Sequence, residues 1–134
     1  MKPLLAWLLA GTLALLCGTA QADLQLRLKA DGLSPAQQHA SQALLDEAMQ
    51  ALPPRFIQQL DRTIDVGWTD RMPDNAYGEA SLVSELDLNR ALLPSLTDGS
   101  AATQKTSRPH GTVRREMLAT VLHELTHIYD LSLI

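Results

Sequence analysis

The chain of 134 residues carries a formal net charge of −4, with 15 Asp and Glu against 11 Lys and Arg. That balance argues against a nucleic-acid backbone as partner, and no basic stripe interleaved with aromatics offsets it. The length suits one domain with a modest core, near the lower end of the usual size range, which leaves little chain for a complete metal site.

Residues 1–22 read as a signal peptide rather than as part of the fold. Lys2 supplies the positive start, Leu4 to Leu16 form an apolar run interrupted only by Gly11 and Thr12, and Ala20-Gln21-Ala22 is an A-x-A cleavage signal. Asp23 is therefore expected to begin the mature chain. The apolar run has thirteen residues, short of the roughly 20 that span a bilayer, so no stable membrane anchor is expected. The single cysteine, Cys17, follows Leu16, where lipoprotein signals carry a small residue, which argues against a lipid anchor. Residues 23–134 hold no cysteine and rely on a core or a metal instead of disulfides. A periplasmic or secreted location is expected.

Residues 33–52, LSPAQQHASQALLDEAMQAL, open with helix-start chemistry: Ser34 as N-cap, Pro35 in the first turn, Gln37 three residues after the cap. Ala40, Leu44, Ala48 and Leu52, flanked by Leu45 and Met49, make one apolar stripe, and Pro53-Pro54 ends the helix. His39, near its start, reads as a solvated surface residue. The segment TIDVGW alternates Ile64, Val66 and Trp68 with Thr63, Asp65 and Gly67, the period of a half-buried strand. TDRMPDNAYG reads as loop, and ASLVSELDLN as a second strand with an edge position, Leu82, Leu86 and Leu88 sharing one face. Residues 94–111 are nearly without apolar side chains and read as a mobile loop. The last helix starts at Thr112 as N-cap, with Val113, Met117, Val121, Leu125 and Ile128 as its stripe and Leu118 and Leu122 widening it. So wide a stripe predicts a largely buried helix, in which two histidines and a glutamate need an explanation.

The chemistry sits in TVLHELTHIYD, Thr120 to Asp130. Residues four apart on a helix turn through about 400° and rise about 6 Å, so His123 and His127 point the same way from adjacent turns. Two neutral imidazoles from one rigid rod can grip zinc. Glu124, rotated by about 100° from His123, is placed beside the ion, where its carboxylate can take a proton from a water that zinc activates. Catalytic zinc takes three protein ligands, and no third one is evident in the residues after His127. Asp130 lies about 10.5 Å of helix rise from His123, and His110 precedes the helix.

HELTH matches the HExxH motif of the zincin metallopeptidases, and its flanks resemble that family over about ten residues: Thr120 and Val121 before, Leu125 and Thr126 within, Ile128 and Tyr129 after. The resemblance implies an α+β, zincin-like fold: a small sheet with an edge strand packed on helices, and the active-site helix at the C-terminus. It implies zinc-dependent hydrolysis of a peptide or protein substrate, with His123 and His127 as metal ligands and Glu124 as catalytic base. In that family the strand before the helix pairs with the substrate backbone, a role that falls by analogy on Ser81 to Asn89. Zincins take the third ligand from further downstream, so residues 23–134 are expected to be an incomplete zincin-like domain, or one completed by a partner. Tyr77 and Tyr129 read as packed aromatics, an oxyanion donor being the alternative, and Glu116 and Asp130 as surface charges or imidazole partners. The rival reading is a periplasmic binding or scaffold domain that keeps the helix without turnover.

Overall fold

The computed structural model describes residues 23–73, 76–82, 84–99 and 111–134. The expected signal peptide, His110 and most of the expected loop 94–111 lie outside them. The architecture is α+β, with a mixed sheet of four strands and helices packed on it.

Strand β1 (Gln25–Leu28) leads through helix α1 (Pro35–Ala51) and the short α2 (Pro54–Gln59) to β2 (Thr63–Thr69). The hairpin strands β3 (Gly78–Leu82) and β4 (Glu85–Asn89) follow, then a 3-10 turn (Arg90–Leu92), α3 (Leu93–Asp98) and the long α4 (Val113–Ser132). The sheet order is β1-β2-β4-β3; β1, β2 and β4 run parallel, and β3 is the antiparallel edge.

Helix α1 starts as expected. Ser34 Oγ accepts from the Gln37 N–H at 3.2 Å and Gln37 Oε1 accepts from the Ser34 N–H at 3.0 Å, so two otherwise orphaned amides are satisfied reciprocally. Its buried residues are Ser41, Leu44, Leu45 and Ala48. Ser41 is inside because it accepts a hydrogen bond from Trp68 Nε1 at 3.1 Å, which ties α1 to β2. Thr112 caps α4 through Oγ1, and all five expected stripe residues, Val113, Met117, Val121, Leu125 and Ile128, are buried. Met117, Val121, Leu125 and Ile128 join Leu44, Leu45, Ile64, Val66, Leu86 and Leu88 in one core between α1, α4 and one face of the sheet.

The opposite face of the sheet is polar. Arg27 Nε donates to Asp65 Oδ1 at 2.6 Å there, and Glu85 and Asp87 share the parity of Asp65 along neighbouring strands. The Arg27 guanidinium, through its hydrogen bond first, holds the Asp65 carboxyl below the usual carboxylate range.

Three expectations are corrected. The start of the expected loop 94–111 is helical, since α3 (Leu93–Asp98) buries Leu93 and Leu96 against the core. ASLVSELDLN is not one strand: the chain reverses between Leu82 and Glu85, so the edge strand is Gly78–Leu82 and β4 lies inside the sheet. The alternation misled because Ala80 and Leu86 pair across the hairpin rather than along one strand, with a register shift after Ala80. Nor is α4 buried all round. One stripe is covered, while His123, Thr126, His127 and Asp130 are exposed.

Candidate metal centre

His123 and His127 leave the exposed side of α4 one turn apart, and their Nε2 atoms are 2.9 Å from each other. The rings meet edge to face, with centroids 4.6 Å apart and planes at 85°. One ligand atom from each of His123, Glu124 and His127 falls within 4.8 Å of the others, which makes them a group able to hold a cation. Among the described residues no further histidine, aspartate or glutamate joins that group.

Glu124 is half-buried and turned toward the sheet edge. Its Oε2 accepts the backbone N–H of Ala80 at 2.9 Å. That donor is available because β3 is an edge strand. Asn89 N–H donates to the Tyr77 carbonyl at 2.9 Å, so in the antiparallel alternation Tyr77 and Glu79 face β4, while Gly78 and Ala80 turn their N–H and C=O groups outward.

The approach of α4 to this edge depends on Gly78. A Cβ there would lie 2.9 Å from the Asp87 carbonyl oxygen and from Leu88 Cδ2, and 3.1 Å from Thr120 Cγ2. Gly78→Ala is therefore expected to cost about 1–3 kcal/mol of stability, as overpacking does. Urea denaturation of the variant measures it, and a loss below about half a kcal/mol would show that the contact relaxes freely.

Beside the histidines runs an open groove of about 360 Å³, lined by Ala76, Tyr77, Gly78, Glu116, Thr120 and Glu124 among others. Burial first, and then the charge of Glu116, push the Tyr77 phenol above its ordinary range. The loop that places Tyr77 is pinned by Asn89, which is 2 % exposed. Asn89 Nδ2 donates to the carbonyls of Pro73 and Ala76 at 3.1 and 2.7 Å, and its Oδ1 accepts from the Ala91 N–H at 3.1 Å.

A family profile described as a domain of unknown function (DUF7844) matches residues 25–134. The chain belongs to this family. Every described strand and helix of the DUF7844 domain, and all three residues of the histidine and glutamate group, fall within the matched span. Comparisons with curated proteins and with solved structures give no match.

The remaining sequence candidates separate. In the DUF7844 domain Tyr129 is a packing residue: its ring stacks on Phe56 with centroids 5.0 Å apart, and its hydroxyl donates to Gln59 Oε1 at 2.6 Å. His39 is exposed, as expected, and so is Asp130. Tyr77 and Glu116 line the groove. Residues that the sequence reading passed over are Gly78, Ala80 and Asn89, whose roles lie in backbone groups and close approach. A glycine at the start of a strand and a buried asparagine at the end of another were the only signals available.

Proposed function

We propose that this DUF7844 domain is an exported zinc-dependent peptidase, with His123 and His127 as metal ligands, Glu124 as general base and a peptide or protein as substrate. The observation that carries the reading is the convergence of two Nε2 atoms, 2.9 Å apart, beside the Glu124 carboxylate. Nitrogens each about 2.0–2.1 Å from a tetrahedral zinc stand roughly 3.4 Å apart, so the rings need open by only about half an ångström to hold the ion. Each ring would then carry its proton on Nδ1 and offer the Nε2 lone pair.

Zinc, when bound, supplies a Lewis acid that polarises a carbonyl and lowers the pKa of water toward about 7. Glu124 supplies the proton traffic. Its Oε2 is held by the Ala80 N–H, which orients the carboxylate and leaves Oε1 to take a proton from the attacking water and return it to the leaving amine. With the Ala80 N–H taken by Glu124, the outward carbonyls of Gly78 and Ala80 are what this edge offers a peptide backbone. A mixed sheet whose antiparallel edge adjoins the helix bearing both histidines supports the zincin-like reading of the fold. The apolar run and A-x-A site of residues 1–22 support export.

The test is metal content. One zinc per chain is expected in the purified, zinc-equilibrated protein, and His123→Ala or His127→Ala should each weaken binding by about 3 kcal/mol, roughly a hundredfold. Absence of stoichiometric zinc would make the domain a binding or scaffold module instead. Stoichiometric zinc without cleavage of any peptide would favour the same rival, consistent with the two imidazoles that the described residues supply.

A further inference from the structure

Resting on the zinc-binding part of that reading, we infer that one zinc ion joins two copies of this chain at half saturation. Each copy gives His123 and His127, and the dimer holds the ion closed to substrate. Tetrahedral zinc takes four ligands; a site with all four supplied by protein is structural, whereas hydrolysis needs an open position. Among the described residues, the group at this site brings two nitrogens together. Glu124 is turned to the Ala80 N–H, 2.9 Å away. Two copies therefore bring four imidazoles, and a second copy is the partner whose ligand count matches.

The face around the histidines suits its own copy. His123 and His127 are both exposed and lie one helical turn apart. A two-fold axis crossing α4 between them sets His123 of one copy against His127 of the other and runs the two helices antiparallel. Leu131, one turn beyond His127, then lies over Ala119, one turn before His123. Leu131 is 49 % exposed, and Ala119 is exposed with only a methyl side chain. A large apolar group left in water thus meets a small one that makes room for it, and symmetry makes the contact twice.

Charge makes the pairing depend on the ion. After Arg115, α4 carries Glu116, Glu124 and Asp130 and no lysine or arginine, and the chain has a formal net charge of −4. Two such faces repel unless a dication lies between them. With zinc in excess, each chain is expected to take an ion of its own by mass action, to leave its partner, and to present the open position that the peptidase reading requires.

Sedimentation velocity of the purified protein, stripped with a chelator and titrated with zinc alone, tests this. At half an equivalent of zinc a species of twice the monomer mass is expected, and in excess zinc the monomer; EDTA dissociates the dimer. His127→Ala abolishes it. Ala119→Arg puts a long side chain where Leu131 of the second copy lies, and is expected to weaken the dimer by about tenfold or more while one zinc per chain still binds in excess zinc. Thermal melts confirm that both variants fold. A protein that stays monomeric at half an equivalent, a dimer that persists in excess zinc, one that forms without His127, or one unmoved by Ala119→Arg overturns the inference. Peptide cleavage, assayed across the same titration, keeps the two readings apart. Cleavage with no dimer at any zinc level leaves the peptidase reading standing and overturns this one, whereas the expected dimer with no cleavage in excess zinc does the reverse.

Discussion

Glu124→Gln is expected to keep zinc and lose turnover, with kcat/KM falling by about 10²–10⁴, the usual contribution of a positioned general base. The substitution is close to isosteric, and a glutamine side-chain oxygen can still accept the Ala80 N–H that Glu124 Oε2 accepts at 2.9 Å. The strand and helix therefore keep their spacing while the proton acceptor disappears. Zinc stoichiometry by mass spectrometry and cleavage of a mixed peptide library separate the two effects. A Gln variant that binds zinc and cleaves at the parental rate would remove Glu124 from the chemistry.

Leu125→Ala, one residue further on, should do the reverse. Leu125 has 0 % exposure and points into the core between α1 and the sheet, about 100° around the helix from Glu124. Truncating a buried leucine costs about 2–5 kcal/mol through lost transfer energy and the cavity left behind. That is a large share of the about 5–15 kcal/mol that holds a domain folded. Chemical denaturation reads the loss, and zinc affinity measured on the folded fraction should stay within a few-fold of the parent. If the variant instead kept its stability and lost zinc, the division of α4 into a core stripe and an exposed histidine face would be wrong.

That division was legible early because it depends on nothing beyond the helix itself. Thr112, Val113, Met117, Val121, Leu125 and Ile128 state where α4 begins and which side is covered, and the spacing of His123 and His127 states that their rings share the other side. The same holds for Ser34, Pro35 and Gln37 at the start of α1. Helical signals are carried by residues within a turn or two of one another, so the structure had little left to change.

The sheet was read less well. The stretch LQLRLK alternates at period two, yet no strand was assigned to it, since β1 exists by pairing in parallel with β2 across the whole of α1. ASLVSELDLN kept one alternation through a reversal of the chain, because cross-strand partners in a hairpin share a face just as alternate residues of one strand do. The burial of α4 was overstated for a related reason. Counting apolar residues measures how wide a stripe is, whereas which of them are covered depends on what packs against it.

The local pattern by itself determined two imidazoles and a carboxylate on one rigid helix, and hence the kind of ion and the kind of proton transfer to ask about. Only the tertiary structure decided that Glu124 is held by an amide of the sheet edge, that Gly78 permits this approach, and that Tyr77 and Glu116 line a groove beside the histidines. The physical reason is range. Helix faces follow from spacing along the chain, but an outward-turned N–H on an edge strand exists only once strands far apart in sequence have paired and left that edge open.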